Sequence, residues 1–313
     1  MSLRIVFAGS GAFGLPTLSA LKSQVVQVVT QPDRPAGRGR KPTPTPIAAF
    51  ATEHDLPLLR TDDINGESLP DADVLLVIAF GQKIAAEVAG KPRLGSMNLH
   101  ASLLPKFRGA APIAWTILSG QKLAGNSVIR LADKMDAGAI LAQSRLEIGE
   151  AETAGELHDR LAQDGVALIE RVIADCAAGR AIETPQDSSL ASQAPKLRRE
   201  DARIDWAQNA ETIARRIRGL WPWPGCRARL CDAGGEMVAG LTLARARPAG
   251  GEGGRWHDGE IDGAANISVA GGTEAVEILE LQPEGKRVMS LADFRRGHAW
   301  MPGMRIIESP LHH

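Results

Sequence analysis

Leu3-Arg4-Ile5-Val6-Phe7-Ala8-Gly9-Ser10-Gly11-Ala12-Phe13-Gly14 is the stretch on which the fold turns. Its compact apolar run ends at Gly9, as a strand buried on both faces does. Leu18 and Leu21 then fall on one face of a helical segment, and the β-branched run Val25–Thr30 follows. Strand, glycine turn, helix, strand is one βαβ unit, and such units build parallel sheets. The stretch also spells G-x-G-x-x-G from Gly9 to Gly14, the pattern of a dinucleotide site with pyrophosphate on a helix N-terminus. That use wants an acid at the end of the second strand to hold a ribose. Here the strand ends Val29-Thr30-Gln31-Pro32, and Asp33 arrives only inside a Pro/Arg-rich loop. A tight turn that needs glycine is the favoured reading, with an NAD(P)-dependent oxidoreductase as the alternative.

Working outward, further apolar strands are expected at 74–79, 95–100 and 127–131, with helical stretches between several of them. Thr153-Ala154-Gly155-Glu156 is a capping box. Behind it Leu157, Leu161, Leu168, Ile169, Val172 and Ile173 recur at helical spacing up to Gly179, a natural C-cap. Residues 180–204 turn polar and then charged, and read as a linker. Asn209 and Gly219 bracket a short helix. Short β-rich runs at 226–230, 241–246, 266–269 and 276–281 alternate with glycine turns, as in a small barrel or sandwich. Residues 248–255 read as a Gly-rich loop.

Composition bounds the function classes. The 313 residues fit about two domains. With 44% hydrophobic and 23% charged residues the chain is ordinary globular protein, not disordered. Cys176, Cys226 and Cys231 form no CxxC pair, which argues against a disulfide framework and a Cys-based zinc site. No run approaches the ~18 apolar residues of a membrane span, and the first residues lack a secretory pattern, so a cytoplasmic protein is expected. The net charge of −1 means that a polyanionic partner must be met by local basic clusters.

Three constellations are candidates to carry chemistry. Asn98-Leu99-His100 ends a central strand, where positions i and i+2 share a face, so amide and imidazole point together into the crevice used by ligands. Asp136-Ala137-Gly138 places a carboxylate in a loop at the same sheet edge, and neither H-E-x-x-H nor paired cysteines suggest a metal. The loop from Gln31 to Pro46 carries Arg34, Arg38, Arg40 and Lys41 against Asp33, a local charge of 4 − 1 = +3. Its prolines and glycines are expected to preclude a regular element, and a loop this long is usually functional. A second, milder basic excess runs from Lys196 to Arg218 and reads as a solvated linker and helix face.

Together these residues resemble the methionyl-tRNA formyltransferases, within the folate-dependent formyltransferases, over nearly the whole chain. The resemblance rests on Asn98-Leu99-His100-Ala101-Ser102-Leu103-Leu104-Pro105, on Arg108-Gly109-Ala110-Ala111-Pro112, and on the Gln31–Lys41 loop. Further support comes from Ala202-Arg203-Ile204-Asp205-Trp206, Trp221-Pro222-Trp223-Pro224 and Leu281-Gln282-Pro283-Glu284-Gly285-Lys286-Arg287. It implies a Rossmann-like, mostly parallel catalytic domain over 1–190, a linker over 191–206 and a small OB-like β-barrel over 207–313 that binds tRNA. It implies formyl transfer from 10-formyltetrahydrofolate to initiator methionyl-tRNA by a monomer without metal, with other folate-dependent formyltransferases as the neighbouring alternative. Asn98, His100 and Asp136 would be catalytic: Asn98 and His100 as oxyanion donors, Asp136 orienting the imidazole and relaying the proton. Ser102, Leu103, Leu104 and Pro105, with Phe80 and Gly81, would contact the folate. Arg34, Arg38, Arg40, Lys41 and Lys196 would contact tRNA. The chain departs from the family at Ser10-Gly11, where Thr-Pro is usual, at Phe80, where Tyr is common, and at Ala132 and Lys134, where an acid and a glycine are frequent.

Overall fold

The structure, a computed structural model, describes residues 3–36, 39, 41–249 and 257–308. Arg38, Arg40 and most of the expected 248–255 loop lie outside the described residues. Among the described residues no helix is long and apolar enough to cross a membrane. The chain divides into two compact units. One comprises Met1–Pro112, Leu123–Leu146 and His158–Pro195; the other Ile113–Lys122, Glu147–Leu157 and Lys196–His313.

In chain order the first half contains β1 (Ile5–Gly9), α1 (Leu15–Leu21), β2 (Val25–Thr30), β3 (Arg34–Ala36), β4 (Lys41–Thr43), α2 (Pro46–Glu53) and β5 (Leu58–Arg60). β6 (Val74–Ile78), α3 (Ala86–Ala89), β7 (Ser96–His100), β8 (Arg108–Gly109), α4 (Pro112–Leu118), β9 (Leu123–Ala124) and β10 (Ser127–Arg130) follow. Then come β11 (Ile140–Gln143), β12 (Leu146–Glu147), α5 (Ala154–Ala177) and β13 (Gln193–Ala194). The central sheet of the first unit has the order β11-β10-β7-β6-β1-β2-β5. The five strands from β7 to β5 are parallel, while β10 runs antiparallel to both its neighbours. β1 and β6 are buried along their whole length, which is why both read as unbroken apolar runs. The chain builds outward from β1 through β2 to β5 and then returns to β6 on the other side of β1. That reversal makes the C-terminal ends of β1, β6 and β7 the crevice where ligands bind in open α/β sheets.

Two expectations need correction. The Gln31–Pro46 segment does contain regular structure: β3 and β4 form an antiparallel ribbon with Arg34 opposite Thr43, Pro35 opposite Pro42 and Ala36 opposite Lys41. A two-strand ribbon has only edge strands, and an edge tolerates proline because the missing N–H is not needed there. Nor is the polar stretch after Gly179 a plain tether. β13 pairs in parallel with β8, and Pro195 closes the first unit.

The second unit continues with α6 (Ala210–Gly219), β14 (Cys226–Cys231), β15 (Met237–Pro248), β16 (Asn266–Val269), β17 (Glu274–Pro283), β18 (Met289–Ser290), α7 (Leu291–Arg295) and β19 (Arg305–Glu308). Asn209 caps α6 by accepting the Thr212 amide. The antiparallel sheet runs β16-β17-β15-β14-β19, with β18 on β17. Its two edges are joined by residues 259–261. The amide of Gly259 donates to Ser268, and that of Ile261 to Met304, at 2.8 and 2.9 Å. The sheet therefore curls into a small barrel around Leu230, Leu241, Leu243, Ile267 and Ile278.

Candidate active site

The glycine turn after β1 is built for packing. A Cβ on Gly9 would stand 2.7 Å from the Phe7 ring, and one on Gly14 3.1 Å from it. The amides of Ser10 and Gly11, which a bound pyrophosphate would need, both donate to the Ala79 carbonyl at 3.2 and 3.1 Å. The turn thus ties β1 to the end of β6, and the dinucleotide alternative loses its donors.

β7 places Asn98, Leu99 and His100 at its C-terminal end. Leu99 points toward α5, where a Cβ on Gly165 would meet its side chain at 2.6 Å. Asn98 and His100 therefore share the other face. His100 is buried; its Nε2 lies 2.9 Å from the Phe107 carbonyl and its Nδ1 3.7 Å from Asp136 Oδ1. Phe107 has a φ of +61°, which turns that carbonyl toward the ring. Asp136 Oδ2 accepts the Gly109 amide at 2.9 Å. The half-buried Asn98 amide makes no hydrogen bond among the described residues, so it is a donor free for a ligand. Sequence and structure thus bring the three catalytic candidates to one strand end. Nε2 of His100 is engaged by the Phe107 carbonyl, and Nδ1 faces the Asp136 carboxylate beyond hydrogen-bond distance.

The Ser102-Leu103-Leu104-Pro105 segment is locked to β10. Ser127 Oγ donates to the Ser102 carbonyl at 2.6 Å and accepts the Leu104 amide at 3.1 Å. Gln143 Nε2 donates to the Leu104 carbonyl at 2.9 Å, and Ser102 Oγ to that of Lys106 at 2.7 Å. With those main-chain groups engaged, the half-buried Leu103 and Pro105 offer mainly apolar surface. Phe80 is buried in the core with Val6, Ala8, Leu75 and Val77, and its carbonyl accepts Gln31 Nε2 at 2.8 Å. Gly81 beside it is exposed, with a φ of +80°. Leu103 and Pro105 are thus half-buried apolar side chains, and Gly81 is open backbone.

Gln186 and Ser192 carry no signal in the sequence. Gln186 Nε2 donates to the carbonyls of Asp136 and Gly138, both at 2.8 Å, and Ser192 Oγ accepts the Phe107 amide at 2.9 Å. The partners are 50 and 85 residues away, so no local pattern announces them.

Of the expected RNA-contacting residues, Arg34, Lys41 and Lys196 are exposed. Most other cations of 196–218 are engaged within their own unit. Arg198 pairs with Glu200, Arg203 with Glu308 and Arg215 with Glu211, while Arg216 and the buried Arg218 donate to the carbonyls of Asp201 and Glu152. Among the described residues no group of three or more His, Cys, Asp or Glu side chains is placed to hold a metal ion.

An Asn-x-His strand end and an Asp-x-Gly loop sit on a mostly parallel sheet followed by a barrel, and the chain that carries them is a formyl transferase by its family match. Residues 4–173 match the family described as formyl transferase, and residues 196–299 its C-terminal domain. Methionyl-tRNA formyltransferase of Methylococcus capsulatus is 38% identical, over 97% of this chain and 99% of its own. That of Pseudomonas fluorescens is 40% identical, over 93% and 92%. The chain belongs to the methionyl-tRNA formyltransferase family. Among solved structures, the sugar 3N-formyltransferase WlaRD superposes with a TM-score of 0.65 at 17% identity, over 92% of this chain and all of its own. HypX from Aquifex aeolicus, in complex with tetrahydrofolic acid, gives 0.61 at 18%, over 94% of this chain and 47% of its own. At such identities the likeness is one of fold.

Proposed function

We propose that this chain transfers a formyl group from 10-formyltetrahydrofolate to the α-amino group of initiator methionyl-tRNA. The observation that carries the proposal is the pair of buried His100 and half-buried Asp136 beside the uncommitted Asn98 amide, at the strand ends where the sheet reverses. Relatives bearing the methionyl-tRNA formyltransferase name, matched nearly end to end, support the acceptor.

When bound, the folate supplies a formyl group on nitrogen, and Leu103, Pro105 and the Gly81 backbone are the surfaces that would hold its ring. An α-amino group has a pKa near ~8, so at neutral pH the attacking nitrogen must first lose a proton. With its hydrogen on Nε2, facing the Phe107 carbonyl, His100 presents the Nδ1 lone pair on the Asp136 side. A proton accepted at Nδ1 is then held between imidazole and carboxylate, and the same pair returns one to the departing nitrogen. Asn98 donates to the formyl oxygen as it gains charge, an interaction that grows toward the transition state. His100 is thus the proton carrier and Asn98 the oxyanion donor.

The direct test is transfer of labelled formyl from 10-formyltetrahydrofolate to charged initiator tRNA, with charged elongator tRNA as control. Formylated initiator product is expected. Turnover on a sugar-nucleotide amine with none on methionyl-tRNA would overturn the proposal.

A further inference from the structure

The polar segment after Gly179 touches both partners of the His100 ring. Gln186 Oε1 accepts Arg108 Nε at 3.1 Å and Nη2 at 2.7 Å, while its Nε2 donates to the carbonyls of Asp136 and Gly138. Arginine has only donors and a carbonyl only accepts, so one orientation of the amide satisfies all four bonds. Arg108 is 3% exposed, and among the described residues no carboxylate stands within ion-pair distance of it. A buried cation bonded to one end of an amide polarises it and strengthens the N–H donors at the other end. Those donors grip a loop under constraint: Asp136 has a φ of +54°, and a Cβ on Gly138 would lie 1.9 Å from the Arg130 carbonyl. Further along the same segment, Ser192 holds the second partner. Its Oγ accepts the Phe107 amide, and its carbonyl accepts the Arg108 amide at 2.9 Å, next to the Phe107 carbonyl that faces Nε2.

We propose that Gln186 and Ser192 are positioning residues for the His100–Asp136 pair. Gln186 sets the backbone that aims the Asp136 carboxylate at Nδ1, and Ser192 sets the carbonyl that holds Nε2. The inference rests on the formyl-transfer reading of the site, in which an ångström of misplacement costs on the order of 10²-fold in rate. Neither side chain touches the reacting atoms. Both act through groups that do.

Gln186→Glu keeps the size and the acceptor for Arg108, but turns an acceptor oxygen toward two carbonyls. We expect kcat to fall roughly 10- to 100-fold, with KM for methionyl-tRNA and for the formyl-folate within about threefold of the unaltered protein. In an Asp136→Asn background the same change should cost less than about threefold more, because it acts through Asp136. Ser192→Ala should lower kcat about 3- to 10-fold and displace the His100 Nε2 resonance in ¹⁵N NMR, a readout that needs neither activity nor Gln186. Gln186→Glu with kcat within twofold, or a full multiplicative loss in the Asp136→Asn background, would overturn the proposal, as would His100 resonances unmoved in both variants. An unaltered protein inactive on methionyl-tRNA, with His100 resonances still displaced in the variants, would reject the functional reading and uphold the positioning.

Discussion

Asp136 accepts the Gly109 amide on Oδ2 at 2.9 Å, which leaves Oδ1 as the oxygen facing His100 Nδ1. Gly109 can make this bond because its φ is +125°, a conformation that side chains oppose, and because a Cβ there would stand 2.7 Å from the Ala194 carbonyl. Gly109→Ala combines that strain with a clash against backbone that cannot swing away. The expected cost is about 1–3 kcal/mol in urea unfolding, together with a fall in kcat of at least about tenfold as the carboxylate loses its anchor. An alanine variant with unaltered kcat would mean that the Gly109 bond plays no part in aiming Asp136.

Asn98 should separate activity from stability. Its amide has no partner to lose among the described residues, so Asn98→Ala should leave the melting temperature nearly unchanged. The same variant should lower kcat about 10²- to 10³-fold, with KM altered only a few-fold, as removal of an oxyanion donor does. His100→Ala and Asp136→Ala should each lower kcat by about two orders of magnitude or more. Melting curves and steady-state kinetics on the same preparations decide it, and a destabilised Asn98→Ala would point to a structural amide.

The parallel sheet was legible because βαβ units leave unbroken apolar runs at β1 and β6, and the strand repeat of two put Asn98 and His100 on one face. Direction was not legible. β10 has the same apolar character as its neighbours, and nothing in its residues says that it runs antiparallel. The β3–β4 ribbon was hidden by prolines that an edge accommodates. Gln186 and Ser192 sit in a stretch whose composition is that of a solvated linker, and only the fold brings them to Asp136 and Phe107. The basic loop, by contrast, was legible as charge at Arg34 and Lys41, which are exposed as cations with few apolar neighbours are.

Glu156 gives a prediction in acid. Arg245 donates to both its oxygens at 3.0 and 2.5 Å and, with the Thr153 amide and hydroxyl, holds its pKa down from 4.5 to about 2. A carboxyl whose folded-state pKa is depressed adds stability above its unfolded value and loses it as pH falls toward the folded one. The window is therefore roughly pH 4.5 down to 2. The Glu156 side chain is 46% exposed, so after solvent screening the contribution is about 1 kcal/mol. Glu156→Gln should be less stable than the unaltered protein at pH 6, and the gap should narrow as pH drops through 4 and 3. Urea unfolding at those values checks this. A constant gap would assign the loss to packing.

The basic ribbon makes the last prediction. Asp33, the acid beside it, is engaged by Arg60 at 3.0 Å, so it does little to neutralise the ribbon's own cations. Arg34 is paired only at 3.8 Å with Asp62, both side chains at least 70% exposed, an ion pair that water screens almost completely. Lys41 is exposed at the start of β4 and makes no ion pair among the described residues. Cations held out in this way release counterions from a phosphate backbone, so tRNA affinity should fall steeply as salt rises. Replacing Arg38, Arg40 and Lys41 with alanine should weaken tRNA binding and flatten its salt slope by up to about one unit for each phosphate no longer neutralised. With tRNA saturating, kcat should stay near that of the unaltered protein, because the Asn98–His100–Asp136 site is intact. Lys196→Ala, measured beside it, shows whether the barrel-bearing unit carries a separate share. An unchanged salt slope in the triple variant, with a flattened one in Lys196→Ala, would move RNA recognition from the ribbon to that second unit.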